Sequence, residues 1–412
     1  MRMLSREQVW FASLAASVAA AAMAGSTGCG SVVVTDAPHA STSGASSSAM
    51  SSAGAGNAGG ATSSAGTAGE GGAGGAGGSS SAGGAPSSGA SSVSSSAASS
   101  SSSGGGCNDT TTDPSNCGAC GHDCLGGACV ASTCKPVKLA SSPLPFAIAV
   151  SATDVYWTEF MANAVMRVPL AGGVPTVIAT APHPSALAID STHVYWTAQG
   201  LVSKAPLGGA FEASVYTGSM DSDTWGIAVD ATSVYAADIF TGLQKIPLGG
   251  GAPVTLFTTL APTSFNVVVD AASLYLAVDS VIAKVPLGGG GAITLAAGQD
   301  EPRAMALDAD TIYWTNASVA NGSGSVMRAA KSGGSVTTLA TGLKIPSGIA
   351  VDATDVYWVN LAGGTVMRVP KGGGAGEILA SGQVGALSVA VDANAVYWTV
   401  GGSKNAVMKL AK

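Results

Sequence analysis

From about residue 136 onward, the chain alternates short apolar runs with polar or glycine turns. The runs are four to six residues long, rich in Val, Ile, Ala, Tyr and Trp, and without the 3.6-residue period of a helix. One stretch shows the pattern clearly, with runs at 348–352, 355–360, 365–370 and 377–380. Runs of this length and composition, separated by Asp, Asn or Gly, predict four β-strands joined by tight turns.

This four-strand unit repeats along the C-terminal two-thirds of the chain. One tyrosine marks each unit at steps of 39, 40, 40, 38, 44 and 40 residues: Tyr156, Tyr195, Tyr235, Tyr275, Tyr313, Tyr357 and Tyr397. A period near 40 residues that encloses several short strands predicts a β-propeller, in which each unit is one radial blade. We predict an all-β, seven-bladed β-propeller over residues 135–412, with six blades as the alternative because the fourth unit is degenerate.

The seventh unit contains only three of these runs. The segment 136–140 lies before the first unit and resembles the fourth strands of the others, such as residues 336–340. We predict that it pairs with residues 406–410 and completes the last blade. This pairing would close the ring and remove two exposed sheet edges.

The second strand of each unit carries a recognisable motif. The runs Tyr156-Trp157-Thr158-Glu159 and Tyr313-Trp314-Thr315-Asn316, the latter followed by Val326-Met327-Arg328, resemble YWTD β-propeller repeats, and the resemblance spans residues 136–412. Propellers of that family are usually six-bladed and serve mostly as extracellular ligand-binding platforms, which is what the resemblance implies here. This chain departs in having seven units and in the residues at the family's Asp position, which are Glu159, Ala198, Asp238, Val278, Asn316, Asn360 and Val400.

The N-terminus predicts export. Arg2 and Arg6 precede an apolar stretch at residues 9–24, which is typical of a secretory signal, and we assign residues 1–28 to it. Ser26-Thr27-Gly28 before Cys29 resembles a bacterial lipobox, so Cys29 is the predicted lipid attachment site, with cleavage after Ala24 and a free thiol as the alternative. We expect an outer-membrane or cell-surface lipoprotein, or a secreted protein, that contacts the membrane only through the N-terminal lipid.

Residues 29–106 are almost entirely Ser, Gly and Ala. Such a segment has too little apolar surface to offset the entropy of ordering, so we predict a disordered tether. A flexible coil of this length has a root-mean-square span of about 45–50 Å, from ~5–6 Å times the square root of the residue number. The alternative is filler of no selected length.

Residues 107–134 form a predicted cysteine-rich module. In an exported chain, six closely spaced cysteines predict three disulfides of undetermined pairing: Cys107, Cys117, Cys120, Cys124, Cys129 and Cys134. The module resembles short Cys-rich segments of secreted myxobacterial proteins. The alternative is a zinc site at Cys117, Cys120, His122 and Cys124.

Residues that recur in every unit are predicted to be structural. An Asp ends the first strand in six units, where its carboxylate can bond the following turn: Asp190, Asp230, Asp270, Asp308, Asp352 and Asp392. A basic residue recurs on each third strand, and we expect it to be solvated or paired rather than to form a ring that binds an anionic polymer: Arg167, Lys204, Lys245, Lys284, Arg328, Arg368 and Lys409.

Evidence for catalysis, metal binding or nucleic-acid binding is weak. His193 occupies a turn position, and His183 lies between two prolines in an interblade loop, so no Ser-His-Asp set or histidine metal site can be assembled. The net charge of −7 and the lack of a basic cluster exclude an electrostatic footprint for nucleic acid. We predict no catalytic residue, metal or cofactor, and a monomer.

Positions that differ between units are the candidates for function. They lie where first strands begin and second strands end, on the face of a propeller called the top. We expect the longest loop there, 315–325, to overhang the mouth. Aromatic side chains beside carboxylates and amides favour a concave polar-ligand site, and the candidates are Phe146, Glu159, Trp225, Asp238, Phe265, Arg303, Asn316 and Asn360.

We therefore expect non-catalytic binding of an envelope glycan, peptide or protein through the top face. Two alternatives stay open. One is an extracytoplasmic lyase or hydrolase that acts on a polysaccharide or small molecule, with carboxylates such as Glu159 and Asp238 drawn from different blades. The other is a structural or adhesion scaffold of the envelope.

Overall fold

The computed structural model describes residues 109–209, 213–218, 224–238, 242–258, 266–319, 322–402 and 404–412. The side chains of Thr224 and Trp225 are outside this description. Over these ranges the chain forms 30 β-strands. The described residues contain no helix that is long and apolar enough to cross a membrane. The predicted signal, the tether, Cys29, Cys107 and Phe265 lie outside the described residues, and the limits of the first two segments stay predictions.

Seven four-stranded antiparallel sheets form the body of the protein. Blade 1 consists of β4 (Pro145–Val150), β5 (Asp154–Glu159), β6 (Ala164–Pro169) and β7 (Thr176–Thr180). Blade 2 consists of β8 (Pro184–Ile189), β9 (His193–Ala198), β10 (Leu201–Pro206) and β11 (Ala213–Thr217). Blade 3 consists of β12 (Thr224–Val229), β13 (Ser233–Asp238), β14 (Gly242–Pro247) and β15 (Val254–Phe257).

The second half of the ring has the same organisation. Blade 4 consists of β16 (Asn266–Val269), β17 (Ser273–Val278), β18 (Val281–Pro286) and β19 (Ile293–Ala296). Blade 5 consists of β20 (Pro302–Leu307), β21 (Thr311–Asn316), β22 (Gly324–Ala330) and β23 (Thr337–Leu343). Blade 6 consists of β24 (Pro346–Val351), β25 (Asp355–Asn360), β26 (Thr365–Pro370) and β27 (Glu377–Ala380).

Blade 7 closes the ring with strands from both ends of the propeller. It consists of β28 (Ala386–Val391), β29 (Ala395–Val400), β30 (Ala406–Ala411) and β3 (Val137–Ser141). Strand β3 runs antiparallel to β30, with Val137 opposite Lys409 and Ser141 opposite Ala406. The first strands of successive blades contact one another around the ring, including β28 with β4, so they lie at the centre. The seven-bladed, N-terminally closed propeller is confirmed, and the six-bladed alternative is wrong.

The marker tyrosine fixes the turn between the first two strands. Six of the seven tyrosine hydroxyls donate to the Asp five residues earlier, at Oη–Oδ2 distances of 2.7 to 2.9 Å. The other carboxylate oxygen accepts two backbone N–H groups of the turn, as Asp190 does from Thr192 and His193. Each Asp therefore satisfies donors that the turn would otherwise leave unpaired.

Blade 1 is the exception and shows what the Asp contributes. Ser151 occupies the Asp position, and its hydroxyl oxygen accepts the N–H groups of Thr153 and Asp154 at 3.2 and 3.0 Å. With no carboxylate available, the Tyr156 hydroxyl donates 3.0 Å to the carbonyl oxygen of Leu207 in blade 2. Serine can replace the Asp in the turn, and the Tyr156 hydroxyl then bonds to the next blade.

The threonine of the repeated motif connects adjacent blades. Thr158, Thr315 and Thr399 each accept a backbone N–H from the first strand of their own blade, at 3.0 to 3.2 Å. Each also donates to a carbonyl oxygen on the first strand of the next blade, respectively Ser185, Ser347 and Phe146. These bonds satisfy buried backbone groups around the centre of the ring.

The third-strand basic residues connect the blades at the opposite, bottom end. Six of them donate to the carbonyl oxygen of the residue that follows the third strand in the next blade. We call these acceptor positions the bottom rim: Leu170, Leu207, Leu248, Leu287, Lys331, Lys371 and, in blade 7, Lys412. Arg368 instead pairs with Glu377 of its own blade at 2.7 Å. The expectation of paired rather than ligand-binding cations agrees with these contacts.

Ion pairs strengthen the bottom rim where it carries lysine instead of leucine. Lys331, Lys371 and Lys412 reach back to Asp270, Asp308 and Asp352 of the preceding blade, at 2.9, 3.1 and 2.6 Å. Burial by itself raises the pKa of Asp270, but hydrogen bonds led by that from Lys331 outweigh it and lower the pKa to about 2. The repeated aspartates are thus part of the ring's structure.

The cysteine-rich segment is disulfide-bonded and lies against the closing blade. It contains the short hairpin β1 (Cys129–Val130) and β2 (Thr133–Cys134), with Cys117 bonded to Cys129 and Cys124 to Cys134. Cys120 is also disulfide-bonded. The zinc alternative is wrong, because the three thiol ligands it required are all in disulfides, and His122 contacts the backbone oxygens of Cys117 and Lys412.

Candidate functional site

The top face is built from backbone irregularities that recur at the start of the first strands. Pairing between the first and second strands slips in blades 1, 2, 3, 5, 6 and 7, so each of these strands carries a bulge. Equivalent residues that differ between the units fall inside every one of these bulges: Phe146, Ser185, Trp225, Arg303, Ser347 and Leu387. Because bulges redirect side chains at sheet ends, variation here changes the mouth without changing the blade.

Strain accompanies these bulges. The residue just before the first strand has a positive φ in several blades, at 46° for His183, 53° for Glu301 and 53° for Ile345. The β-branched Ile345 is especially unfavourable in this left-handed region. Its carbonyl oxygen accepts the N–H of Leu361, which follows the second strand, so the strained residue joins two top-face loops. Such backbone strain is maintained only where surrounding contacts overdetermine it.

Glu159 is buried and fully engaged by neighbouring donors. It is 3% exposed, and its carboxylate accepts bonds from the Ser142 hydroxyl, the Trp157 indole N–H at 2.9 Å and the Leu144 N–H at 3.3 Å. Burial raises its pKa, which the bonds from Trp157 and Leu144 oppose. The structure therefore gives this predicted ligand contact a structural task, linking the closing strand's exit loop to blade 1.

Asn316 and Asn360 occupy the equivalent positions of blades 5 and 6. Asn316 donates to Gln299 at 3.0 Å and to Ser325 at 3.2 Å, whereas Asn360 donates to Thr365 at 2.8 Å. Both are at most 5% exposed, and the Oδ1 atom of each is buried without a hydrogen-bond partner. They fix the turn into the third strand, and only limited parts of these amides face outward.

The remaining described candidates are also enclosed. Phe146 is 1% exposed, Asp238 is 3% and Arg303 is 8%. Phe146 lies in blade 1, Asp238 in blade 3 and Arg303 in blade 5. Their role in binding stays a prediction, as does that of Trp225 and Phe265.

The structure does reveal an apolar group on the top face that no spacing in the sequence predicts. Phe146 and Leu387 pack with Leu361, and the rings of Phe146 and Phe160 lie 6.1 Å apart between centroids. Leu144 and Leu387 both lie beside Gly401, and Val384 lies against Gly364. We call this group the apolar arc: Leu144, Phe146, Phe160, Leu361, Val384 and Leu387.

The apolar arc has an aliphatic outer layer. Val384 is 49% exposed, and Leu144 and Leu361 are half-buried, whereas Phe146 and Phe160 are covered. The neighbouring Met161 is 60% exposed. The members come from loops of blades 6, 7 and 1 that are far apart in sequence. The only available sequence signal was the residue following each second strand, such as Phe160 and Leu361.

His183 extends the aromatic part of the arc towards blade 2. Its ring stacks on Phe160 with 4.9 Å between centroids, and its Nδ1 lies 2.9 Å from the Gln199 amide nitrogen. Its backbone N–H donates to Asn163 at 2.9 Å. The histidine is thus held against the arc by blade 1 and blade 2, a contact that no pattern in the sequence predicts.

The other half of the top face is acidic. Asp279 is exposed, and Asp300 and Glu301 are half-buried, in blades 4 and 5. The backbone oxygens of Asp300 and Glu301 accept the N–H groups of Ser318 and Ala317, which begin the long loop of blade 5. The described start of that loop is therefore folded back onto its own blade; residues 320 and 321 are outside the description.

In the described ranges, one group of side chains has the spacing of a metal site, namely Cys117, Cys124 and Cys129. All three are in disulfides, so this group cannot bind a metal as thiolates. The two carboxylates considered for catalysis, Glu159 and Asp238, are both buried and lie in blades 1 and 3.

Comparisons with known proteins identify the fold. A scan of protein families and a search of curated proteins both give no match. Among solved structures, the chain is similar to virginiamycin B lyase from Staphylococcus aureus (TM-score 0.55, 15% identity, 68% of this chain and 98% of that chain). It is also similar to the WD40 β-propeller domain of Doa1 (TM-score 0.54, 12% identity, covering 67% and 95%). These proteins have different roles, so the similarity establishes a seven-bladed β-propeller and leaves function to the site.

Proposed function

We propose that this chain is an exported bacterial lipoprotein that binds an envelope protein or peptide through the top face of its propeller, without catalysis. The observation that carries the proposal is the apolar arc. Soluble proteins bury aliphatic side chains where they can, and exposed apolar groups bordered by polar loops often mark interaction sites. The arc lies at the propeller mouth, where the blades differ most.

Among the described residues, the exposed chemistry of the apolar arc favours a peptide or protein over a glycan. Sugars are bound by open aromatic faces, but Phe146 and Phe160 are covered, at 1% and 6% exposure. What the arc offers a partner is the aliphatic surface of Leu144, Leu361 and Val384. An apolar side chain of a polypeptide complements such a surface.

Two lysines next to the apolar arc indicate which charge the partner should carry. Lys344 and Lys404 are exposed, and their loops are bonded to the loops of the arc, through Lys344 O to Gly363 N–H and through Asn405 O to Ser142 N–H. The exposed and half-buried acidic side chains described above, Asp279, Asp300 and Glu301, lie in blades 4 and 5, whereas Glu159 beside the arc is buried. We therefore propose a partner segment that presents apolar residues next to carboxylates.

The proposed experiment is a thermal-shift measurement on the purified protein with fractionated envelope extract. A ligand at 100 times its dissociation constant stabilises by about 2.7 kcal/mol, which is readily measured. Protease treatment of the extract should abolish the shift, whereas periodate oxidation of its glycans should leave it intact. The reverse pattern would favour a glycan ligand and contradict our choice of partner.

The variant Met161→Asp/Val384→Asp tests the location. Both side chains are largely exposed, so the fold should be retained while the shift disappears. Val174→Asp is the matched control, since Val174 is 83% exposed but lies after the third strand, at the other end of blade 1. An unchanged shift in the double variant would reject the top-face site and favour a scaffold whose sides matter.

A further inference from the structure

The bottom rim has one irregular position, and the cysteine-rich segment occupies it. In six blades the rim carbonyl accepts a bond from a basic residue of the preceding blade. The seventh rim carbonyl, that of Lys412, instead lies 2.6 Å from Nε2 of His122. Arg368, which by symmetry would reach it, pairs with Glu377. His122 thus replaces an interblade cation at the point where the ring closes.

The same segment packs into the core of the closing blade. The buried sulfurs of Cys117, Cys124, Cys129 and Cys134 belong to one apolar cluster with Met408, Leu410 and Ala411 of β30. Leu125 contacts this cluster and also the next one, which contains Leu139 of β3 and Val407 of β30. The segment therefore bridges both faces of blade 7.

Residues 109–134 are too few to form an apolar core of their own, so their conformation depends on the disulfides. Outside the cysteines, Leu125 is the large apolar side chain that they direct into the propeller. Segments this short rarely hold a fixed conformation in water without cross-links. His122 and Leu125 lie within the two disulfide loops, Cys117–Cys129 and Cys124–Cys134, so the bonds fix the positions of both contact residues.

We propose that the cysteine-rich segment is an oxidation-dependent clasp of the propeller. With its disulfides formed, it holds β3 on β30 and closes the ring; with its cysteines reduced, it releases His122 and Leu125, and the β3–β30 pairing opens locally. Reduction by a dithiol leaves two cysteine thiols for each bond broken and converts the dithiol to its own disulfide. Closure would then be complete only in an oxidising compartment.

The consequence reaches the top face through blade 7. Strand β3 leads directly into Ser142, whose hydroxyl donates to Glu159, and then into Leu144 of the apolar arc. Thr399 of β29 donates to the carbonyl oxygen of Phe146, also in the arc. A loosened blade 7 would therefore disorder the arc. This last step rests on the proposed function, whereas the clasp itself does not.

Hydrogen exchange of the full-length protein, with and without dithiothreitol, tests the clasp. Exchange of backbone amides in β3 and β30 should accelerate about tenfold or more on reduction, because local opening exposes that pairing. The β17–β18 pairing in blade 4 is the matched control and should be unaffected. Thiol titration confirms that reduction is complete. Unchanged exchange in β3 and β30 would overturn the proposal, and so would equal acceleration in blade 4, which would indicate global unfolding.

His122 variants separate the clasp from a general disulfide effect. His122→Ala should accelerate exchange in β3 and β30 of the oxidised protein several-fold, while His122→Gln, which keeps an N–H donor, should restore part of the protection. His193→Ala is the control histidine, since His193 lies in a blade 2 turn. Identical exchange in His122→Ala and the parent protein would contradict the assignment of His122. Ligand binding need not be known for either measurement, so their failure is distinguishable from failure of the proposed function.

Discussion

The two ends of the propeller differ in how far their side-chain contacts repeat from blade to blade. At the bottom, the same bonds recur in blade after blade: tyrosine to aspartate, aspartate to turn, and third-strand cation to the next blade's rim carbonyl. At the top, equivalent positions carry Phe146, Ser185, Arg303, Ser347 and Leu387. At these positions the repeated interblade bonds, such as that from Thr399 to Phe146, use the backbone carbonyl, so the side chain there is free to vary.

The two ends also differ in how they hold carboxylates. Burial by itself would raise the pKa of Asp270 at the bottom, but Lys331 and other donors lower it to about 2. Glu159 at the top is also buried, but no cation of the described residues pairs with it, and burial raises its pKa. Lowering the pH should therefore have opposite effects on the two sites.

The largest expected effect is acid destabilisation of the bottom end. A lowered native pKa contributes stability that is present above the unfolded-state value of 3.8 and is lost as the pH falls towards about 2. The melting temperature should drop steeply over this interval, because the other repeated first-strand aspartates with lowered pKa values become protonated as well. Asp270→Asn should flatten the drop, and an identical profile in that variant would contradict the account.

The contribution of Glu159 to stability should change with pH in the opposite direction. Its raised pKa means that ionisation costs stability as the pH rises above the unfolded-state value of 4.5. Relative to Glu159→Gln, the parent protein should lose stability from about pH 4.5 upward to the native pKa. Denaturant titrations at pH 4 and pH 7 would measure this difference, and a gain in the parent's relative stability at pH 7 would show that the sign is wrong.

Among the single substitutions, removing one of the repeated first-strand aspartates should reduce stability most. Asp352 accepts bonds from Tyr357, Lys412 and the N–H groups of Thr354 and Asp355. Asp352→Ala leaves several of these donors unsatisfied and should cost about 2–4 kcal/mol. Asp355→Ala is the control in the same turn and should cost less than about 0.5 kcal/mol, because its carboxylate contacts only the Thr354 hydroxyl among the described residues. Equal losses in urea unfolding would reject the special role of the repeated Asp.

A smaller contrast separates blade 2 from blade 1. Tyr195→Phe removes a bond to the charged Asp190 and should cost about 1.5–3 kcal/mol, whereas Tyr156→Phe removes a bond to the neutral Leu207 carbonyl and should cost about 0.5–1.5 kcal/mol. Both variants keep the buried ring. Urea unfolding of the pair measures the difference directly, and a larger loss from Tyr156→Phe would contradict it.

Much of this fold could be predicted from the sequence because the bottom-end bonds are local. Tyr and Asp lie five residues apart in six units, so their period revealed both the blade number and the structural role of the Asp. The closing strand was predicted at 136–140 and lies at Val137–Ser141. It could be recognised because it resembles the fourth strand of the other units but precedes the first complete unit.

The candidate site was less predictable because its contacts are not local. Leu361, Leu387 and Phe146 meet only after blades 6, 7 and 1 close, and no spacing in the sequence connects them. The motif position held by Glu159 and Asn360 looked like a ligand contact because its polar residues vary. In the structure Glu159 bonds the loop before β4, and Asn360 bonds the start of the next strand of its own blade; their role in binding stays a prediction. The contact between His122 and the Lys412 carbonyl oxygen was also not predicted, because no pattern in the sequence relates the two residues.

The most direct test of the account compares one variant from each end by melting temperature and by the temperature shift with envelope extract. Lys204→Ala removes a bottom-rim bond to Leu248, and Met161→Asp/Val384→Asp alters the exposed surface beside the mouth. We predict that Lys204→Ala lowers the melting temperature but keeps the ligand shift, and that the top-face variant keeps the melting temperature but loses the shift. Both readouts changing together in each variant would contradict the separation of a structural bottom from a binding top.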